Sequence, residues 1–218
     1  MAKNAHYIPA LGLDWLTPLY DPVLRWVMRE EQFKRHLIRQ ARIEPGQRVL
    51  DLGCGTATLT LMLKQAHPGA TVIGLDGDAK ILEIGRAKAR RTGVDITLDE
   101  GMAYQLPYPD ESFDRVLSSL VLHHLNPEDK RRALREVYRV LRPGGELHVV
   151  DFGQPHTAWG RLVAPVMGRF EQASDNIKGR LPDMYRHAGF ENVDEAAHFA
   201  TIFGTLAGYQ AQKPARPA

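Results

Sequence analysis

What this chain has little of narrows its class before any motif is read. It holds one cysteine, Cys54, in 218 residues. That excludes a disulfide framework and a cysteine-based metal cluster, and no metal site is expected. Neither sign of charge is in surplus: 28 Lys and Arg against 26 Asp and Glu leave a formal +2, too little to imply a nucleic-acid partner by itself. No apolar run approaches the ~20 residues of a membrane span. The opening Met1-Ala-Lys-Asn-Ala-His6 lacks the apolar stretch of a signal peptide. There is no internal repeat. These absences leave one globular domain with an appended cap, long enough for a substantial core and expected to be cytoplasmic.

What is present centres on Arg48-Val-Leu-Asp-Leu-Gly-Cys-Gly-Thr-Ala-Thr-Leu-Thr60. Val49, Leu50 and Leu52 make a short apolar run suited to a buried strand. Gly53-Cys54-Gly55 stops it, and Leu59, Met62, Leu63 and Ala66 then recur on one face of a helix. Strand, glycine turn and helix together let a ligand lie against bare backbone at a helix N-terminus. A dinucleotide site would want a third glycine where Thr58 stands, and a pyrophosphate would not favour Asp51 directly before the loop. Asp51 suits a cation such as an ammonium. Asp76 ends the next strand about 20 residues on, where a carboxylate reaches ribose hydroxyls. A ribose, a positive charge and no diphosphate describe S-adenosylmethionine.

Asp51-Leu-Gly-Cys-Gly-Thr56, Gly74-Leu-Asp76, Leu106-Pro-Tyr-Pro-Asp-Glu-Ser-Phe-Asp114, Leu122-His-His-Leu125 and Leu141-Arg-Pro-Gly-Gly145 follow one another over residues 48–152. In order and spacing they resemble the class I S-adenosylmethionine-dependent methyltransferases, in particular the ubiquinone/menaquinone-methyltransferase-like branch that acts on small molecules. The resemblance implies an α/β fold: a Rossmann-like, seven-stranded, mostly parallel sheet with helices on both faces, the last strand antiparallel, and an N-terminal helical cap. It divides the chain into a cap at 1–44 and a cofactor-binding domain at 45–213, with 153–178 as a substrate-covering insertion. The expected cofactor contacts are Asp51, Gly53, Cys54, Gly55, Asp76, Gly77, Met102, Ala103 and Ser119. Tyr20, in a Tyr-Asp pair like one that helps close the family's cofactor site, joins them. Two departures stand out. Met102 replaces an acid or polar residue that bonds the adenine amino group, leaving that contact to backbone near Ala103, and Ala57 stands where a third glycine is common.

Along the rest of the chain, Asp78 reads as the N-cap of a helix through Leu82 to Arg91, and Asn126-Pro127 as the start of another. In that second helix Leu134, Val137, Tyr138 and Leu141 face inward, while Lys130, Arg131, Arg132, Arg135 and Arg139 are assigned to a solvated face. Val193–Thr201 and Phe203–Gln212 read as the final two strands. Cys54 itself reads as a small residue in a tight turn rather than a reactive thiol.

Methyl transfer from a sulfonium has a good neutral leaving group, so the protein mainly orients donor and acceptor. If the acceptor is a phenol, a quinol carbon or an amine, one base suffices. His123, His124 and Asp151 are the candidates, all expected at the C-terminal edge of the sheet. The partner is a small-molecule acceptor, with peripheral membrane contact if that acceptor is lipid-like. A non-catalytic protein of the same fold and a nicotinamide-dependent oxidoreductase are the alternatives. A nucleic-acid methyltransferase is disfavoured because neither an Asn-Pro-Pro-aromatic motif nor a Pro-Cys pair is present.

Overall fold

The computed structural model describes residues 30–168 and 172–216. Tyr20 and most of the expected N-terminal cap therefore lie outside the described residues. The described chain begins with α1 (Glu30–Gln40), which buries Phe33, Leu37 and Ile38. Then come β1 (Arg48–Leu52), α2 (Thr58–Ala66), β2 (Thr71–Asp76), α3 (Ala79–Thr92), β3 (Thr97–Glu100) and β4 (Phe113–Ser119). A single 3-10 turn at Leu122–His124 leads to α4 (Pro127–Val140) and β5 (Leu141–Phe152). The last third holds α5 (Ala158–Met167), α6 (Ser174–Ile177), α7 (Leu181–His187), β6 (Glu191–Thr201) and β7 (Gly204–Gln212).

The strands form one sheet in the order β3-β2-β1-β4-β5-β7-β6. β1 to β5 pair in parallel, and β7 runs antiparallel to both its neighbours. This is the expected mostly parallel, seven-stranded sheet with a reversed last strand. Chain order turns back between β1 and β4, so the crevice outside their C-terminal ends is the place where such sheets bind ligands.

Alternation along each strand feeds two cores. On one face Leu50, Leu52, Val116 and Val149 pack with Leu134 and Val137 of α4 and with Leu181 and Tyr185 of α7. On the other face Val49, Val72, Leu117 and Val150 meet Phe33 and Leu37 of α1 and Leu59 and Leu63 of α2. Asp51 takes its turn on this second face and meets α2 there.

Both expected caps form. The Asp78 side chain accepts from the Lys80 and Ile81 amides, and Asn126 accepts from those of Glu128 and Asp129. α4 departs from its expected facing in one place. Lys130 is fully buried, and its Nζ donates to the Gln172 carbonyl at 2.6 Å. The helical spacing 130, 134, 137 explains this: Lys130 stands one turn before Leu134 on the inward face. α4 also passes straight into β5 at Leu141, so Leu141 belongs to the strand and Pro143-Gly144-Gly145 lies inside it.

Candidate functional site

The site is built where β1 breaks. Gly53 turns at φ 70, and a Cβ there would collide with the Val121 side chain, which follows β4. Gly55 also lies at positive φ, so both glycines hold conformations that L side chains rarely adopt. Ala57, in place of the third glycine, sits at φ 61 and carries strain of about 1 kcal/mol that glycine would not.

Three loop amides are already committed. Gly53 and Cys54 N–H donate to the Leu75 carbonyl at 2.8 and 3.0 Å, and Gly55 N–H donates to Asp76 Oδ2 at 2.8 Å. The other Asp76 oxygen accepts from the Asp78 amide at 3.0 Å. A diphosphate would need those amides for itself. Beside them stand two carboxylates that burial disfavours in the ionised form. Burial pushes Asp51 up to about 6, against the opposing pull of the Thr60 hydroxyl and the Lys34 charge. Asp76 is likewise raised by burial, against the Gly55 and Asp78 amides. The loop is thus amide-poor and acid-rich, an environment for a cation.

Neighbouring residues close the pocket's outline. Gly77 lies under Met102, whose Sδ would be 2.9 Å from a Cβ at that position. Ala103, next to it, packs on the core. The Cys54 side chain turns inward among Ala57, Leu82 and Leu98, where burial and then the nearby Asp51 and Asp76 push its thiol well up. Only its backbone faces the loop's business, in keeping with the bland reading of a small turn residue. Ser119 ends β4, and its neighbour Ser118 is turned inward to donate to the Leu52 carbonyl at 3.1 Å.

Across the crevice, the 3-10 turn after β4 folds onto the end of β5. His123 Nδ1 stands 2.8 Å from Asp151 Oδ1. Asp151 Oδ2 accepts from the Leu122 amide at 2.7 Å and the Val121 amide at 3.1 Å, and the Phe152 amide donates to Oδ1 at 2.7 Å. Complete burial alone would push this carboxyl up. The charge and hydrogen bond of His123, with the Phe152 amide and His124 behind them, hold it below the usual carboxylate range instead. His124 is half-buried, its ring centroid 4.0 Å from that of His123, and Phe152 meets His123 edge-on at 4.9 Å.

A family profile described as a methyltransferase domain matches residues 49–145. The demethylmenaquinone methyltransferase of Listeria monocytogenes is 32% identical over 202 residues, covering 82% of this chain and 84% of its own. That of Thermus thermophilus is 38% identical over 142 residues, 64% of each chain. Among solved structures, an S-adenosylmethionine-dependent methyltransferase from Methanosarcina mazei superposes with a TM-score of 0.68 at 23% identity, over 82% of this chain and 98% of that one. The chain belongs to the class I S-adenosylmethionine-dependent methyltransferases, in their menaquinone-methyltransferase-like branch. It is an enzyme that takes S-adenosylmethionine as cofactor and methylates a small molecule.

The residues fit that cofactor. A sulfonium and an ammonium are drawn to an acid-rich loop whose amides are spent, whereas a nicotinamide dinucleotide is not, and the oxidoreductase alternative falls with it. A groove of about 460 Å³ lined by Arg86, Arg90, Asp95 and Ile96 opens at the other end of the strands, where the chain enters β3. It touches none of the loop carboxylates and plays no part here.

The expected acids Asp51, Asp76 and Asp151 stand at one edge of the sheet, and the sequence does not show their partners. Thr60 holds Asp51 Oδ2 at 2.6 Å. Lys88 reaches from α3 to the hydroxyls of Thr56 and Thr58 at 3.1 and 3.0 Å, fastening α3 to the loop. No periodicity marks either. Val121 is equally silent in sequence, since its contact with Gly53 spans β1 and β4. The pairing of His123 with Asp151 could not be read from their separation either.

Proposed function

We infer that this methyltransferase acts on a hydroxylated aromatic ring of the quinol class, and that His123 is its general base. The His123–Asp151 pair is the observation that carries this reading. A carboxylate that accepts the Nδ1–H fixes the imidazole tautomer and leaves the ring's lone pair on Nε2, the arrangement of an oriented base. Asp151, surrounded by backbone donors, orients the ring rather than taking the proton itself.

In this reading His123 Nε2 accepts the proton of a ring hydroxyl, and the electron pair released into the ring makes an adjacent carbon nucleophilic. Once that carbon is methylated, its own proton is lost and the ring oxygen is reprotonated, which restores the aromatic quinol with one proton released in all. Bound S-adenosylmethionine supplies an electrophilic methyl whose sulfonium leaves as a neutral thioether. The chain's work is then to hold acceptor and cofactor in line and to exclude water. Asp76 accepts from the ribose, while the backbone of Gly53, Cys54 and Gly55 lies along the cofactor. Gly77, Met102 and Ala103 form the adenine wall, Ser119 meets the methionine part, and Asp51 acts through its charge. Tyr20 lies outside the described residues, and α5, after β5, is placed to cover the acceptor. Relatives named demethylmenaquinone methyltransferases support a demethylmenaquinol acceptor.

An apolar stripe supports a lipid-like tail on that acceptor. Trp159, Leu162 and Val166 are exposed along one face of α5, with Ile202 of the β6–β7 turn beside them. Such a face suits a prenyl chain or the membrane surface from which it is drawn. Among the described residues no helix is long and apolar enough to cross a membrane.

The test is turnover of demethylmenaquinol with S-adenosylmethionine by the parent chain and by His123→Ala. Loss of a general base lowers turnover by about 10²–10⁴-fold, with cofactor affinity unchanged. Equal turnover by the variant would refute the base. Turnover of amines but not of demethylmenaquinol would refute the substrate class.

A further inference from the structure

A second cluster of chemistry-bearing side chains lies away from the crevice. His156 in the β5–α5 connection and Glu195 and His198 of β6 offer ligand atoms that all lie within 4.8 Å of one another. Both imidazoles converge on one oxygen: Glu195 Oε1 is 2.6 Å from His198 Nε2 and 3.4 Å from His156 Nε2. The two rings lie against each other with centroids 3.6 Å apart. All three side chains are solvent-accessible, at 42%, 29% and 40% for His156, Glu195 and His198, so an ion can reach them without the fold opening.

The backbone assembles this group on purpose-shaped ground. Residues three apart on a regular strand point to opposite faces. β6 breaks that rule between Glu195 and Ala197, which pair with Tyr209 and Gly208, so two steps along β6 match one along β7. This is a bulge with one extra residue, and it turns Glu195 and His198 to the same side. The third ligand comes from a tethered connection. Gly153 N–H donates to the Thr205 carbonyl at 3.1 Å, His156 N–H to the Thr205 hydroxyl at 3.2 Å, and Trp159 Nε1–H to the Ile202 carbonyl at 2.9 Å.

The geometry points to a divalent metal site of the zinc class formed by His156, Glu195 and His198, which clips the start of α5 to the edge strand. Two imidazoles and one carboxylate suit zinc, cobalt or nickel and are poor ligands for magnesium or calcium. Donors around tetrahedral zinc stand roughly 3.3 Å apart, given bonds of 2.0–2.2 Å. The His156–Glu195 separation already matches, and the His198–Glu195 hydrogen bond opens by a fraction of an ångström as the ion replaces the shared proton. Water completes the coordination. His198 sits opposite Ala207 on β7, and Ala207 sits opposite Asp151 on β5. The clip therefore lies two strands from the His123–Asp151 pair, roughly 10 Å by interstrand spacing, at the root of the helix that bears the apolar stripe. The inference rests on these side chains alone, independently of the quinol reading.

Untagged protein stripped with a chelator should be titrated with Zn²⁺ by calorimetry and with Co²⁺ by visible absorption. One equivalent binds, and the cobalt spectrum is that of a nitrogen–oxygen site without thiolate bands, since Cys54 is buried. His156→Ala, Glu195→Gln and His198→Ala each weaken binding at least tenfold, and His187→Ala leaves it unchanged. Metal-free melting curves of the variants should match the parent, because the replaced side chains are exposed. Amide exchange over residues 158–167 should slow when Zn²⁺ is added. Absence of saturable Zn²⁺ binding, or equal affinity in the three variants, would overturn the site. Binding that leaves exchange in α5 untouched would overturn the clip.

Discussion

Two aspartates at the same edge of the sheet are equally buried and oppositely charged in tendency. Asp51 ends up near 6 because burial dominates and a single hydroxyl, that of Thr60, is its hydrogen-bonding side chain. Asp151 is driven the other way, since His123 and neighbouring amides outweigh desolvation by burial. Burial sets how much a charge costs, and the donors around it decide whether the cost is met. The difference separates two kinds of work. Asp51 is an incompletely compensated acid, the kind of group a cationic ligand would relieve. Asp151 is a compensated one that has no further need of a ligand and can hold a histidine still.

The comparison breaks most sharply at Asp151→Asn. Removing the charge leaves His123 without its anion and turns a stabilising carboxylate into an amide that must donate toward backbone N–H groups. A loss of about 3–5 kcal/mol is expected in denaturant unfolding at pH 7. The folded-state value of Asp151 is depressed, so its contribution is present above the unfolded value of about 3.9 and fades as pH falls through the folded one. The asparagine variant should therefore lack that part of the parent's acid-limb loss.

Asp51→Asn should do the opposite. With its folded value raised from 3.8 to about 6, Asp51 makes the fold bind a proton that the unfolded chain releases. Stability falls as pH climbs between those two values and stays reduced above them. At pH 8 the asparagine variant gains up to about 3 kcal/mol, by 1.36 kcal/mol per unit, and at pH 4 nearly nothing. Melting at both pH values checks this, and a variant that is less stable at pH 8 would deny that burial outweighs the Thr60 and Lys34 contributions at Asp51. The same variant should bind S-adenosylmethionine more weakly.

Gly53→Ala combines a left-handed φ with a collision against Val121 and should cost about 1–3 kcal/mol. Adding Val121→Ala relieves the collision and leaves the smaller backbone strain, so a partial recovery in Tm separates the two causes. The smallest effect on the cofactor belongs to Asp76→Asn, which keeps an acceptor for one of the Gly55 and Asp78 amides, turns its NH2 toward the other, and weakens the acceptor offered to a ribose. About a tenfold rise in the cofactor Kd, near 1.4 kcal/mol, is expected by calorimetry.

The glycine-loop half of the candidate site was legible because its parts are close in sequence. Gly53, Gly55 and Asp78 have local reasons for being what they are: a turn at positive φ and a helix cap. The His123–Asp151 half was not. His123 and Asp151 were each plausible bases, and only the fold makes one the holder of the other. Lys130 is charged yet buried, because its spacing from Leu134 and Val137 sets its face in α4. His156 and His198 stand 42 residues apart and fall together only through a bulge in β6 and a tethered connection after β5.

Sequence alone determined the repeating strand–helix order, the break at the glycine loop, the acids at the ends of β1, β2 and β5, and the family that uses them. Each is a local pattern, set by backbone sterics or by side-chain alternation along one element. Tertiary structure decided which acid keeps its charge, which histidine is held, and that β7 enters between β5 and β6. Those outcomes depend on donors and neighbours delivered by distant strands, and the energy of a buried charge is a property of its surroundings rather than of its own residue.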